Sequence, residues 1–183
     1  MSISITARSS GVLLVTAALL GAGVALFGTA AYASNVHLKP PHGSPSFTDN
    51  GITLTASGAL AGLGAEDVIV NLSASGLSAV ACAISSEQPQ LQQPVPASVA
   101  ASGVIPASDT KNGNTAFVVT TPTPVAQCPP GSTGGVVFDS FTSATITVQQ
   151  GEPPATVLTV SCMFDPPTND GAVPAQTVSC SSQ

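Results

Sequence analysis

The stretch FTSATITVQQGEPPATVLTVSCMF, residues 141–164, decides the fold class. In its first half Ala144, Ile146 and Val148 alternate with Ser143, Thr145, Thr147 and Gln149. In its second half Leu158, Val160, Cys162 and Phe164 alternate with Thr159 and Ser161. A period of two, rich in β-branched residues, marks strands with one buried and one wetted face. Gln150-Gly151-Glu152-Pro153-Pro154 separates the halves, and Gly and Pro punctuate turns. The stretch therefore predicts a hairpin and sets Cys162 in a core row.

The same grammar extends in both directions. Phe47 precedes an Asp49-Asn50-Gly51 turn, and Ile52, Leu54 and Ala56 then alternate with Thr53, Thr55 and Ser57. Val68, Val70 and Leu72 alternate with Asn71 and Ser73; Gly76 breaks the run, and Val80, Cys82 and Ile84 resume it. Residues 68–84 thus read as a second hairpin. Residues 99–105, 117–121, 136–138 and 176–180 read as further strands. Lys111-Asn112-Gly113-Asn114 is a turn, because Asn-Gly accepts positive φ at little cost. Eight or nine short strands and no mature helix predict an antiparallel β-sandwich, Greek-key or immunoglobulin-like. An up-and-down barrel is the alternative.

The start of the chain reads differently. Arg8 is the one charge before an uncharged run over residues 9–36, with an apolar middle at 12–27. Ala31-Tyr32-Ala33 supplies the small-x-small pattern of a signal-peptidase site. Residues 1–33 are expected to be a signal peptide, 34–46 a flexible leader and 47–183 a single β domain. The competing reading is a retained anchor, since about 20 apolar residues span a bilayer. Secretion to the extracellular space is the expectation, with no membrane association after cleavage.

Charge narrows the partners. Loss of Arg8 leaves two lysines, Lys39 and Lys111, against nine carboxylates, a net charge of −7. Nucleic-acid binding needs clustered cations to displace counterions, so that class is excluded. Anionic membranes are disfavoured for the same reason. The mature chain has five Phe and neither Trp nor Tyr, so its core is thin and covalent staples would help. Four cysteines in an exported chain supply two bridges. The preferred pairing is Cys82–Cys128 with Cys162–Cys180. Cys82–Cys162 with Cys128–Cys180 is the other reading, since Cys82 and Cys162 both fall on inward positions.

Two likenesses attach to these residues. Phe47-Thr48-Asp49-Asn50-Gly51-Ile52-Thr53-Leu54-Thr55, Ile105-Pro106-Ala107-Ser108, Lys111-Asn112-Gly113-Asn114 and the 141–148 and 158–162 runs resemble a group of small exported bacterial β-rich proteins of uncharacterised function. That resemblance implies a secreted β domain and no activity. In composition and size alone the chain is similar to the neocarzinostatin-type apoproteins, acidic domains with two disulfides. Their cysteine pairs are close in sequence, whereas Cys82 and Cys128 are far apart.

Catalytic equipment is sparse. His37 and His42 both fall in the leader, where nothing holds a general base. No cysteine has a basic neighbour in sequence to lower its thiol pKa. Glu66-Asp67 and Asn169-Asp170-Gly171 offer oxygens but match no EF-hand loop. No cofactor and no metal is therefore expected, and no enzymatic turnover. The competing enzyme reading would rest on Glu66, Asp67 and Asp139. Two Pro-rich loops remain: residues 87–96, with Glu87, Pro89, Pro94 and Pro96, and residues 122–135, with Pro129 and Pro130. A Cys82–Cys128 bridge would join them into one contact face. The expected role is a binding or extracellular structural module for a protein, polymer or small hydrophobe. A secreted protease inhibitor acting through Cys128-Pro129-Pro130 is the alternative, since rigid loops bind well by being pre-organised.

Overall fold

The structure, a computed structural model, describes residues 35–39, 43–83, 90–91, 95–126 and 128–183. The expected signal peptide, His42, Glu87, Pro89 and Pro94 lie outside the described residues. Eleven strands appear in the described residues: β1 (His37–Leu38), β2 (Ser46–Asp49), β3 (Leu54–Ala61), β4 (Val68–Ala83), β5 (Gln90–Leu91), β6 (Val95–Ile105), β7 (Thr115–Thr120), β8 (Thr133–Gln150), β9 (Ala155–Phe164), β10 (Gly171–Ala172) and β11 (Val178–Ser182).

They form two antiparallel sheets packed as a β-sandwich. In the smaller sheet β3 is central. β7 lies along one edge of it; β2 and β1 lie end to end along the other, and β10 continues outside β2. The larger sheet runs β11-β9-β8-β4, with β6 and β5 end to end on the far edge of β4. Both chosen disulfides are present, Cys82–Cys128 and Cys162–Cys180.

Alternation makes the core. On β4 the even positions face inward: Val68, Val70, Leu72 and Ala74 are at most 1% exposed. Ala144, Ile146 and Val148 of β8 and Leu158, Val160, Cys162 and Phe164 of β9 continue that apolar face. Opposite them the smaller sheet contributes Phe47, Leu54, Ala56, Leu60, Phe117 and Val119. Phe47 meets Phe164 edge to face across the layers, with centroids 5.0 Å apart, a favoured aromatic arrangement. Cys162 and Cys180 are register partners on β9 and β11, so their bridge ties the last strand to the sheet. In the chain-entropy account a loop of that size contributes about 3 kcal/mol.

Three expectations need correction. The hairpin expected over 68–84 is a single strand, and residues 133–150 likewise form one strand. Gly76 does not break β4. It sits beside a bulge, where β8 holds Thr142 as an extra residue. A Cβ at Gly76 would lie 1.9 Å from the carbonyl oxygen of Ser140. The glycine permits close approach of two backbones, not a turn. The leader is also partly ordered structure: β1 pairs with β3, and Val36 and Leu38 are buried in the core. Its alternation of Val36 and Leu38 about His37 was too short to count as a strand. Finally, Pro96 belongs to a strand that begins at Val95, four residues earlier than expected at 99. An edge strand tolerates a proline whose missing N–H faces away from the ladder.

Buried polar groups are tied across the layers. Asp49 and Thr168 are 1% and 3% exposed. The Thr168 hydroxyl donates to Asp49 Oδ2 and accepts from the Phe141 N–H at 2.9 Å, while the Gly51 N–H donates to Asp49 Oδ1. Thr168→Val strips a donor from the carboxylate and leaves the Phe141 N–H unpaired. Buried orphans cost about 1–3 kcal/mol each, so a loss of about 2–6 kcal/mol is expected in urea melts, with m unchanged. Gln150 does the same work elsewhere, accepting from the Gly64 N–H and donating to the Glu66 carbonyl, both at 2.9 Å. It pins the connection between the two sheets.

Candidate binding cleft

The larger sheet outruns the smaller one. β7 ends at Thr120, while β4, β6 and β8 continue past it. The overhanging inner face is covered by the segment that leaves β7. That segment has two anchors. At its start, Thr121 is buried, donates its N–H to the Leu54 carbonyl and accepts from the Leu54 N–H through its hydroxyl, both at 2.9 Å. At its end, Cys128 is bridged to Cys82 on β4. Pro122 and Pro124 stiffen the span between, because proline fixes φ.

Gly134 makes the second anchor sterically possible. It is the register partner of Cys82 on β8. A Cβ there would lie 2.2 Å from Cys128 Sγ and 2.4 Å from the Ala81 carbonyl oxygen. The bridge lies across the strand where a side chain would otherwise stand.

Between the overhang and its cover lies a cleft of about 560 Å³. Its walls are residues 95–100 of β6 and residues 122–125, and its floor is Ser78 and Val80 of β4. No described lining residue is ionisable. The rim is apolar: Val95 is 48% and Val125 81% exposed. Ser78 is 3% exposed, and its hydroxyl is buried without a hydrogen-bond partner. Its volume falls in the range of small-molecule sites, about 300–1,000 Å³.

The expected site residues are thereby placed. Pro96 lines the cleft, and Cys82–Cys128 holds its cover. Pro129 and Pro130 are exposed but stand apart from the lining. Their segment is a closed turn: the Pro129 carbonyl accepts from the N–H of Ser132 at 3.1 Å and from its hydroxyl at 2.6 Å. Cys162–Cys180 belongs to the other sheet edge and is remote from the cleft in the strand order.

Ser78 escaped sequence reasoning, although a signal existed. Along the inward row of β4 it is the one hydroxyl, set between Gly76 and Val80. Reading 68–84 as a hairpin hid that row, because a turn at Gly76 would have reset the alternation.

The acidic candidates are arranged differently. Asp67 Oδ1 accepts from the Ala107 N–H at 2.8 Å, which fixes a turn rather than freeing a ligand. His37 Nδ1 lies 2.8 Å from the carbonyl oxygen of Asn35 in its own strand segment. Among the described residues no three His, Cys, Asp or Glu side chains gather as metal ligands. Among those residues, too, no helix is long and apolar enough to cross a membrane. Compared with protein-family models, with curated proteins and with solved structures, the chain finds no match.

Proposed function

We propose that this chain is an exported, non-enzymatic recognition domain whose contact face is the mouth of the cleft between β6 and residues 122–125. The observation that carries the reading is the doubly anchored cover, clamped at Thr121 and bridged at Cys128 over an overhanging sheet. A rigid cover keeps apolar surface open that would otherwise collapse, and such pre-organisation lowers the entropy lost on binding. Two disulfides are compatible with an oxidising extracellular setting. The signal-like first 33 residues support the same placement.

The inhibitor reading draws less support. A protease cleft takes its bound segment extended, and the Pro129–Ser132 turn is closed by two hydrogen bonds. The contact face is therefore assigned to the cleft mouth.

The test uses residues 34–183 immobilised through the C-terminus and exposed to medium in which the producing cells have grown. Retained material is expected with the native sequence and lost with Val95→Arg plus Val125→Arg. Both positions are exposed, so stability should change by no more than about 0.5 kcal/mol per site. Retention by the double variant would move the face elsewhere. Product formation in any hydrolase or transferase assay would overturn the non-enzymatic reading.

A further inference from the structure

Resting on the cleft as a recognition site, we infer that its ligand is a small, uncharged, mainly apolar molecule carrying one hydrogen-bonding group for the Ser78 hydroxyl. A buried hydroxyl without a partner is costly, and native structures hold few of them. Ser78 lies on the cleft floor, 3% exposed; its Oγ has no protein partner and is closed from solvent, so it meets a ligand by turning χ1 to another staggered rotamer. A ligand that fills the cleft and reaches this atom would remove the penalty. That gain occurs only on binding, so it adds to affinity.

The rest of the lining fixes the ligand's class. Val80, Val95, Val99, Pro122, Pro124 and Val125 offer apolar surface on both sides. The described lining has no side-chain cation or anion, so an ion would surrender its hydration without compensation. At about 560 Å³ the space suits a molecule of two to four fused rings or a short branched chain. No Trp or Tyr is among the described lining, so shape and hydroxyl contacts, Ser78 on the floor with Ser98 and Thr123 in the walls, must select the ligand. A cation of the same shape is the outcome to test against.

The probe is Nile red, an uncharged dye that brightens in apolar sites, added to oxidised residues 34–183. A saturable rise in emission is expected. Displacement is then measured with three ligands of one shape: 1-naphthol, naphthalene and 1-naphthylmethylammonium. The native protein should prefer naphthol over naphthalene by about three- to tenfold, the worth of one hydrogen bond. Ser78→Ala should bring that ratio close to one while naphthalene binds at least as well as before. This variant removes only an orphan, so its melting temperature should equal or exceed that of the native chain. A second variant, Ala97→Phe, plugs the cleft from β6 and should abolish the Nile red signal.

No saturable signal from the native protein would overturn the small-ligand inference, while capture from medium through the rim would still stand. Equal naphthol preference in native protein and Ser78→Ala would overturn the role of the hydroxyl. Tighter binding of the ammonium than of naphthol would overturn the uncharged class.

Discussion

Gly76→Ala is expected to prevent accumulation of native protein, or to lower its melting temperature by at least about 10 °C. The added methyl would meet the carbonyl oxygen of Ser140 at 1.9 Å and Phe141 Cα at 2.8 Å. Both are backbone atoms of the neighbouring strand, so no side chain can swing aside. Relief requires β4 and β8 to part at the bulge, directly beside the unbroken pairing of Val68–Ser75 with β8. Phe141 is 1% exposed and donates its N–H to the Thr168 hydroxyl, so displacement there opens the core. Losses above about 4 kcal/mol are exceptional and belong to such backbone conflicts. The check is a thermal melt beside Gly135→Ala, whose Cβ would meet nothing within 4 Å. Equal melts for the two variants would refute the bulge argument.

The second large effect is expected from replacing Cys82 and Cys128 together by alanine. The bridge closes a span of 46 residues, for which the chain-entropy account gives about 4 kcal/mol. At about 2–4 °C per kcal/mol for a domain of this size, the melting temperature should fall by about 8–16 °C. Function should suffer more than the fold. The cover over Ser78 would keep its Thr121 clamp and lose its far anchor. Nile red binding should disappear at temperatures where the folded signal is intact. Gly134→Ala offers an independent route, since its Cβ would collide with Cys128 Sγ. That variant should show free thiols on labelling while Cys162–Cys180 stays closed. Quantitative protection of all four cysteines would mean the strand can shift to accept the methyl.

The parts of the fold legible in the sequence are those set by local alternation. Ala144, Ile146, Val148, Leu158, Val160 and Cys162 announced a hairpin and its buried face, and β8 and β9 deliver both. Asn112 and Gly113 announced a tight turn, and both adopt positive φ between the bridged Lys111 and Asn114. What the sequence concealed depends on partners far along the chain. Gly76 looks like punctuation until Ser140 is brought beside it. Residues 58–64, with three glycines, read as a bend, yet Gly58 lies within β3 under the Phe117 ring, 2.8 Å from where its Cβ would stand. Leu38 looks like part of a loose leader until β3 offers it a place in the core. Pro96 and Val125 were both read as loop residues. Their meeting across a cleft follows from β7 stopping at Thr120 while β6 goes on, a difference in strand length that no local pattern records.

The two bridges join Cys82 to Cys128 and Cys162 to Cys180, so their spans neither cross nor nest. Four cysteines allow three connectivities, and only this one matches first with second and third with fourth. A chain threaded outward from its N-terminus presents its thiols to an oxidant in that order. Cys82 and Cys128 can close before Cys162 has emerged, and the last two then have only each other. An oxidase that joins successive cysteines as they appear is therefore sufficient for correct pairing, without a reshuffling enzyme. For a chain exported in this way, the native bond pattern would follow from the order of delivery.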